Sequence, residues 1–191
     1  MKSNIQNPIV GISIYKNVFD AQNFIKELEK ECEKNNSRVF WEDSGTGENS
    51  ISSYRTSLGC HLQEIMTPDS KEYFDKLFYD EIHKPIKGCI EDYSVQYGLG
   101  GIHEPFQVLK YTFGCNYRAH FDDGPGIRRT YSLVNILQAP ESGGELEFPL
   151  FGYTYKPENG DAIFFPANYP YIHIAHPVTS GVKYSMVTWF S

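Results

Sequence analysis

The spacing of hydrophobic and polar positions divides the chain into two halves of different character. In the first half, apolar residues recur every three or four positions over residues 20–32 and again over residues 67–93. This spacing predicts amphipathic helices that pack one face on a sheet. Pro85 predicts a kink or a break in the second helix, because proline lacks an amide hydrogen and clashes with the preceding turn. A short apolar run at residues 9–15 predicts one strand ahead of the first helix.

From about residue 105 onwards the pattern changes to short runs of β-forming residues separated by turn formers. We predict eight strands, at residues 106–112, 117–121, 130–137, 145–148, 153–155, 161–165, 171–175 and 183–190. Eight short strands at this spacing indicate a double-sheet jelly roll. The predicted fold is therefore α+β and mainly β, in a single domain over residues 1–191. Residues 1–104 would form a supporting region of strand and helices, and residues 105–191 the jelly-roll core.

Composition and charge limit the classes of function. With 40% hydrophobic and 21% charged residues the chain is ordinarily globular. The formal net charge of −7 argues against a nucleic-acid partner, because such binding needs lysine and arginine to neutralise phosphates. The four widely spaced cysteines predict reduced thiols. The chain shows neither a signal peptide nor an apolar stretch of membrane-spanning length, so we expect a soluble cytoplasmic protein without membrane contact.

The strongest chemical signal is the pair His120 and Asp122. Residues two apart on a strand share a face, so an imidazole and a carboxylate would lie side by side. His173 or His176 could complete a set of two histidines and one carboxylate, which holds Fe(II) on one face and leaves the other face open. Alternatively, His120 is a strand-end histidine that hydrogen-bonds its neighbour, since a lone His-x-Asp is common by chance. The residues by themselves leave these alternatives open.

A longer pattern contains this pair and extends to the end of the chain. It consists of Tyr111, His120, Asp122, Arg129, Gly143, Gly144, Glu145, Phe148, Pro149, Pro157, Gly160, Asp161, His173, Pro177, Val178, Gly181 and Lys183. In order and in most spacings, this pattern resembles the Fe(II)- and 2-oxoglutarate-dependent dioxygenases, and among them the prolyl 4-hydroxylase-like group. Leu146 and Tyr184 depart from the residues common in that group, and neither falls on an implied iron or cosubstrate position.

The resemblance implies a double-stranded β-helix core and assigns roles to individual residues. It selects His173 over His176, because the family's ligand stands four residues before the Pro of Pro-Val and ten before the basic residue. The implied metal ligands are His120, Asp122 and His173. The implied 2-oxoglutarate contacts are Lys183, Tyr111 and, on the same strand face as Lys183, Ser185. Arg129 or Arg128 would contact the substrate. Trp189 is expected in the core, and Gly143–Glu145 is expected to shape a turn without a chemical role.

The activity implied by the resemblance is hydroxylation of a C–H bond, with succinate and carbon dioxide as co-products. Fe(II), 2-oxoglutarate and dioxygen would take part, with ascorbate as a possible reductant. The expected substrate is a prolyl residue of a peptide or protein. The alternatives are a free amino acid or other small metabolite, and a module that binds iron and 2-oxoglutarate without turnover. Residues 42–50 and 122–129 are candidates for a substrate lid. The sequence assigns neither an oligomeric state nor a role for His176.

Overall fold

The structure of the protein is a computed structural model, which describes residues 4–33, 41–43, 54–61, 75–99, 103–126 and 128–191. Within these residues the strands are β1 Asn4–Ile9, β2 Ile12–Lys16, β3 Glu42–Asp43, β4 Leu58–His61, β5 Gln107–Tyr111, β6 Tyr117–His120, β7 Tyr131–Gln138, β8 Ser142–Gly143, β9 Leu146–Phe148, β10 Tyr153–Tyr155, β11 Ala162–Pro166, β12 His173–Ala175, β13 Val178–Ser180 and β14 Lys183–Phe190. The helices are α1 Gln22–Cys32 and α2 Lys84–Tyr97, with a π-helical segment at Tyr79–His83 and a 3-10 turn at Pro149–Phe151.

The strands form antiparallel sheets that enclose the candidate site. The large sheet has the order β1-β2-β11-β7-β14-β5-β4-β3, and the smaller sheet has the order β10-β9-β12-β6. A two-stranded ribbon pairs β13 with β8. Both α1 and α2 share a hydrophobic cluster with one face of the large sheet, and a second cluster joins the large sheet to β9 and β10. This is the predicted double-stranded β-helix with helices outside it.

Alternation along a single strand shows how the sequence builds these layers. On β11, Phe164 packs in the cluster that contains the helices, whereas Ile163 and Phe165 pack in the cluster shared with the smaller sheet. All three side chains are fully buried, which explains why β11 is apolar at nearly every position. The strand sits between β2 and β7, so both of its edges are also paired.

The helices follow the predicted apolar pattern. Helix α1 buries Phe24, Ile25 and Leu28, and the carboxylate of Asp20 accepts a hydrogen bond from the backbone amide of Gln22. Ahead of Pro85 the α-helical geometry is interrupted by the π-helical segment, and Pro85 then lies in the first turn of α2, so the irregularity falls where the proline predicted it. The predicted start of this helix at residue 67 lies outside the described residues. No helix in the described part of the chain is long and apolar enough to cross a membrane.

The sequence prediction was wrong at the N-terminal strand. The run at residues 9–15 is not one strand but the turn and second arm of a hairpin, in which β1 and β2 pair antiparallel. Gly11 reverses the chain with a φ of 82°, a conformation that side-chain-bearing residues rarely adopt. The eight predicted strands of the second half are present with small shifts at their ends, and the short strands β8 and β13 are additional.

Candidate functional site

Two histidines and one aspartate meet where β6 and β12 lie side by side. His120 ends β6 and is paired across the ladder with His173, which begins β12, and Asp122 follows β6 by two residues. The Nε2 atom of His120 lies 3.6 Å from Oδ1 of Asp122, and Nε2 of His173 lies 3.8 Å from Oδ2. Their potential ligand atoms all lie within 4.8 Å of one another. Ligands of one ion stand roughly 3–4 Å apart when metal–ligand bonds are about 2 Å, so this set fits a metal.

Backbone carbonyls fix the orientation of both imidazole rings. Nδ1 of His120 lies 2.7 Å from the carbonyl oxygen of Arg118, and Nδ1 of His173 lies 3.2 Å from that of Tyr171. A carbonyl oxygen only accepts, so Nδ1 of each ring carries the proton and donates it. Each Nε2 is then left with a free lone pair directed at the other ligands, which is the state that binds a metal.

The charge state of the three groups also suits a metal. Burial alone would raise the pKa of Asp122, but His173, His120 and the Ser132 hydroxyl more than offset it, so this pKa lies well below its ordinary value. Burial lowers the pKa of His173 to about 4. At neutral pH Asp122 is therefore ionised and His173 is neutral, and these are the protonation states that a metal ligand requires.

Ser132 holds the carboxylate of Asp122 in place. Its Oγ donates a hydrogen bond of 2.5 Å to Oδ2, and Ser132 itself is buried on β7 of the large sheet. We expect Ser132→Ala to weaken divalent-metal binding about 10- to 100-fold, which is the usual cost of removing a group that orients a ligand. Calorimetric titration with Mn²⁺ measures this effect. Ser132→Thr keeps the hydroxyl and should restore the affinity.

A matched control for Ser132 is available on the surface. The Oγ of Ser180 also donates a 2.5 Å hydrogen bond to a carboxylate, that of Glu141, at an exposed position. Ser180→Ala should leave metal affinity unchanged. Equal metal affinities for Ser132→Ala and the wild-type protein would show that Ser132 does not position Asp122.

The triad opens into a pocket of about 720 Å³ between the two sheets, and Lys183 lies in its wall. Lys183 is only 4% exposed; its Nζ donates a 2.8 Å hydrogen bond to the carbonyl of Gly144 and lies 4.9 Å from the centre of the Tyr111 ring. Burial lowers the pKa of Lys183 to about 8, with partial opposition from Glu145. Among the described residues, no carboxylate forms an ion pair with Nζ. A buried cation without a counter-charge is costly, so this position suits a ligand that carries a carboxylate.

Neighbouring residues complete this end of the pocket. Tyr111 pairs with Lys183 across β5 and β14, and both Tyr111 and Ser185 are buried and line the pocket. Gly144 was expected only to shape a turn, and its carbonyl in addition accepts the hydrogen bond from the Lys183 ammonium. A Cβ on Gly144 would lie only 3.2 Å from Cδ of Lys183, so glycine also makes room for the lysine stem.

The opposite end of the pocket is built around Arg129. Its guanidinium forms two hydrogen bonds of 2.6 Å with Glu104, lies 3.6 Å from the centre of the Trp189 ring, and donates to the carbonyl of Asp122. Trp189 was expected in the core; it is half-buried, packs against a cluster of buried residues and also lines the pocket. Arg128 is exposed and is not among the residues that line this pocket.

Sequence reasoning missed Tyr117, whose ring stacks on His120 with centroids 3.5 Å apart and 18° between planes. Residues three apart point to opposite faces of a regular strand. Here Tyr117 pairs with Ala175, and His120 pairs with His173. The two pairs are therefore three residues apart on β6 but only two residues apart on β12. This irregularity, a bulge, reverses the alternation and brings Tyr117 and His120 to one face. The pairing partner of β6 is not visible from the sequence, so no local signal could have found it.

His176, the alternative ligand, lies away from the triad. Its Nε2 is 2.6 Å from a carboxylate oxygen of Glu147, and its side chain is 38% exposed. Of the two candidate lid segments, residues 44–50 and residue 127 lie outside the described part of the chain.

Comparison with known proteins finds similarity to one family over the β core. The model of the 2OG-Fe(II) oxygenase superfamily matches residues 106–191. Prolyl 4-hydroxylase 13 of Arabidopsis thaliana is 30% identical over 116 residues, covering 46% of this chain and 42% of the relative. Prolyl 4-hydroxylase subunit alpha-2 of Gallus gallus is 26% identical over 175 residues, covering 87% of this chain and 31% of the relative. This chain thus spans less than half the length of these two curated relatives.

Solved structures agree at the level of the fold. The viral collagen prolyl hydroxylase of Paramecium Bursaria Chlorella virus-1, in its 2OG complex, has a TM-score of 0.63 at 22% identity, with 94% of each chain covered. A prolyl hydroxylase from Trichoplax adhaerens, in complex with a hypoxia inducible factor peptide fragment, has a TM-score of 0.70 at 15% identity, with 94% of this chain and 83% of that chain covered. These likenesses show the double-stranded β-helix fold, and residues 106–191 of this chain are similar to the 2OG-Fe(II) oxygenase superfamily, with prolyl 4-hydroxylases among the curated relatives.

Proposed function

We propose that this protein is an Fe(II)- and 2-oxoglutarate-dependent dioxygenase that hydroxylates a prolyl residue of a peptide or protein. The observation that carries the proposal is the buried Lys183 ammonium, which has no carboxylate partner among the described residues and shares one pocket with the His120–Asp122–His173 set. A metal triad alone fits many enzymes. A buried cation in the same pocket adds the requirement for an anionic ligand close to the metal.

Each group in the pocket has a part in this proposal. His120, Asp122 and His173 would hold Fe(II), and Lys183 would bind the distal carboxylate of 2-oxoglutarate. Tyr111 and Ser185, which share the pocket wall with Lys183, would donate hydrogen bonds to the same cosubstrate. When bound, Fe(II) and 2-oxoglutarate supply the oxidising chemistry, in which one oxygen atom ends in succinate, carbon dioxide is lost, and the other oxygen enters the substrate C–H bond.

The protein's own contribution is to orient these groups and to keep water out. Apolar side chains from both sheets line the pocket: Leu109, Val134, Leu146, Ala175 and Val187. Arg129 is held rigid by Glu104 and Trp189, so its guanidinium has a fixed place at the pocket end beside the triad. A fixed donor at this point would orient a backbone carbonyl of a substrate next to the metal.

The choice of a prolyl substrate rests on the relatives. The curated relatives are named prolyl 4-hydroxylases, and the Trichoplax adhaerens neighbour holds a peptide fragment. A free amino acid or small metabolite, the alternative considered from the sequence, is not favoured by these names. Tyr117 and Trp189 add two aromatic walls near the triad, which suit a neutral ring such as that of proline.

Succinate formation tests the proposal. Protein loaded anaerobically with Fe(II) and 2-oxoglutarate, with ascorbate present, is exposed to air with a proline-rich peptide, with free proline, or with neither. We expect peptide-stimulated succinate and one added oxygen atom on a prolyl residue by mass spectrometry. His173→Ala and Lys183→Ala should abolish both signals. Stimulation by free proline alone would replace the peptide substrate by a small metabolite, and absence of succinate under all conditions would contradict the dioxygenase.

The pKa of Lys183 predicts how cosubstrate binding depends on pH. Burial lowers this pKa to about 8 in the cosubstrate-free protein, and a bound carboxylate favours the protonated form, so binding raises it. Affinity for 2-oxoglutarate should then be constant below pH 8 and fall by up to about tenfold per pH unit above it. Calorimetry in the absence of oxygen measures the profile. Lys183→Met should bind weakly at every pH with a flat profile, and a flat profile in the wild-type protein would contradict the role of Lys183.

A further inference from the structure

A pair of histidines outside the metal site, His83 and His103, has no part in the metal or cosubstrate chemistry. His83 ends the π-helical segment, and His103 lies just ahead of β5. Their ring centroids are 6.5 Å apart, with 47° between the planes. Histidine is the side chain whose charge ordinarily changes between pH 5 and 8. The contact between these two rings therefore depends on their protonation states.

Aromatic rings surround the imidazole of His83. The ring of Tyr79 stacks on it with centroids 5.6 Å apart, Phe78 lies at 5.8 Å, and Phe106 meets it edge-on at 6.4 Å. Nδ1 of His83 is buried and has no hydrogen-bond partner in the described part of the chain. A protonated imidazole carries an N–H donor on both ring nitrogens, and a buried donor without an acceptor is costly. This environment therefore favours the neutral form of His83.

The charges near His83 act in the same direction. Burial is the largest cause that lowers the pKa of His83, and the facing His103 and Lys87, one turn further along α2, lower it as well. Among the described residues, no carboxylate is one of the groups that shift this pKa. On the same π-helical segment, the carboxylate of Glu81 accepts hydrogen bonds from the start of α1, and Asp80 is exposed to solvent.

The segment that carries His103 also holds one end of the pocket. Glu104 follows His103, and its carboxylate accepts two hydrogen bonds of 2.6 Å from the guanidinium of Arg129. On its other side this segment is bound to β14. The amide of Glu104 donates to the carbonyl of Trp189, and Oγ1 of Thr188 donates to the carbonyl of Glu104. A shift of residues 103–106 would therefore move the carboxylate that fixes Arg129.

The π-helical segment covers residues 103–106 through side-chain contacts. Phe78, directly ahead of it, packs on Phe106 with centroids 5.2 Å apart, and His83 packs on His103. A π helix is rare and occurs mostly as a single turn at functional sites. Its geometry at this point depends on such packing, so a charge on His83 acts on the contact that holds the two segments together.

We propose that His83, facing His103, is an acid-sensitive latch. When neutral it keeps the π-helical segment on residues 103–106, and when protonated it releases them and loosens the hold of Glu104 on Arg129. The latch follows from the contacts of His83, whereas its effect on turnover rests on the proposed function.

The direction of the pH dependence follows from proton binding. In the open state His83 is exposed and has its ordinary pKa of about 6.5, whereas in the closed state this pKa is lower. The open state therefore binds more protons below about pH 6.5. Opening becomes more favourable as the pH falls below this value and does not depend on His83 at higher pH.

Hydrogen exchange followed by mass spectrometry tests the latch on the full chain loaded with Mn²⁺ and 2-oxoglutarate. Rates are corrected for the intrinsic effect of pH on exchange. From pH 7.5 to pH 5.5, we expect the protection of residues 79–83 and 103–106 to fall by up to about tenfold relative to the rest of the chain. His83→Phe keeps an aromatic ring that cannot be protonated, and His83→Gln keeps polarity without a charge. Both variants should show no such change.

His176→Phe is the matched control, because it removes a histidine that pairs with Glu147 and lies away from the latch. It should respond to pH like the wild-type protein. Protection in the wild type that does not change between pH 7.5 and pH 5.5 would overturn the latch. An equal loss of protection in both His83 variants would overturn it too, since the titrating group would then lie elsewhere.

Turnover tests the connection to the pocket. Succinate assays with Fe(II) and a proline-rich peptide give KM and kcat for the wild type and for His83→Phe at pH 7.5 and pH 5.5. The metal ligands and Lys183 are the same in both proteins, so their titration cancels in the comparison. We expect the peptide KM of the wild type to rise relative to that of His83→Phe at pH 5.5, with an unchanged ratio of kcat.

The two readouts separate the latch from the proposed function. Equal peptide KM values for the wild type and His83→Phe at pH 5.5 would remove the connection between the latch and Arg129. Absence of succinate from both proteins, with the expected change in protection, would contradict the proposed function and leave the latch supported.

Discussion

His173→Ala is expected to lose Fe(II) binding and, with it, all turnover. His173 supplies one of three potential ligands, its Nδ1 is oriented by the carbonyl of Tyr171, and burial keeps it neutral with a pKa of about 4. Loss of a residue that only orients a ligand costs 10- to 100-fold in metal affinity, so loss of the ligand itself should cost at least about 100-fold. Calorimetric titration with Mn²⁺ measures this directly and does not depend on an active enzyme.

His176→Ala is the matched control for this experiment. His176 lies three residues further along the chain, but its imidazole pairs with Glu147 and is 38% exposed. Its replacement should leave metal affinity and turnover at wild-type levels. A variant His173→Ala that still binds Mn²⁺ with wild-type affinity, or a variant His176→Ala that loses it, would contradict the assignment of the metal site.

Lys183→Met is expected to weaken 2-oxoglutarate binding strongly while metal binding is retained. The methionine keeps most of the length of the lysine stem but removes the charge. Removing one partner of a buried charge pair costs about 2–5 kcal/mol, which corresponds to at least about 30-fold in affinity. Calorimetry of 2-oxoglutarate binding to Mn²⁺-loaded protein, compared with the Mn²⁺ titration itself, separates the loss of cosubstrate from any loss of metal.

The same substitution should not destabilise the cosubstrate-free protein. The pKa of Lys183 falls from 10.5 to about 8 on folding, so at neutral pH the protonated lysine opposes folding by an amount on the order of 3 kcal/mol. Removing the charge relieves this cost and so stabilises the folded variant. Loss of the hydrogen bond to Gly144 acts in the opposite direction. We expect urea denaturation to give an equal or higher free energy of unfolding for Lys183→Met. A large loss of stability would indicate a structural role for the lysine.

Lys110→Met, on the neighbouring strand, is the control for Lys183→Met. Lys110 lies on β5 and forms an ion pair of 2.9 Å with Glu29 of α1, and it is partly exposed. Here the cation already has its partner in the protein. The substitution should lower the free energy of unfolding by about 1 kcal/mol or less and leave the affinity for 2-oxoglutarate unchanged.

Local pattern was sufficient for most of the β core. Alternation and turn formers predicted the eight strands of the second half, because side-chain direction on a strand has a period of two residues and is set by the neighbouring residues. The hairpin of β1 and β2 was missed, since its reversal depends on the positive φ of Gly11, and a glycine in an apolar run is equally compatible with a continuous strand.

The pattern of apolar and polar residues along each strand was less informative about the walls of the pocket. Trp189 was expected in the core, because an aromatic residue near the end of an apolar strand is usually buried. In the structure it lines the pocket, and its ring is covered by the guanidinium of Arg129, which Glu104 holds from another segment of the chain. Tyr117 reaches His120 only through the bulge between β6 and β12. Contacts of this kind depend on how distant strands pair, which no short window of sequence contains.

By itself, the sequence determined the jelly-roll core, the pairing of His120 with Asp122, and, through family resemblance, His173 and Lys183 as their partners. Only the tertiary structure decided that these four side chains share one pocket, and that among the described residues no carboxylate forms an ion pair with the buried ammonium of Lys183. The physical reason is that periodicity fixes which way a side chain points along its own strand, whereas burial, charge environment and contact distance arise only when strands far apart in the chain are brought together.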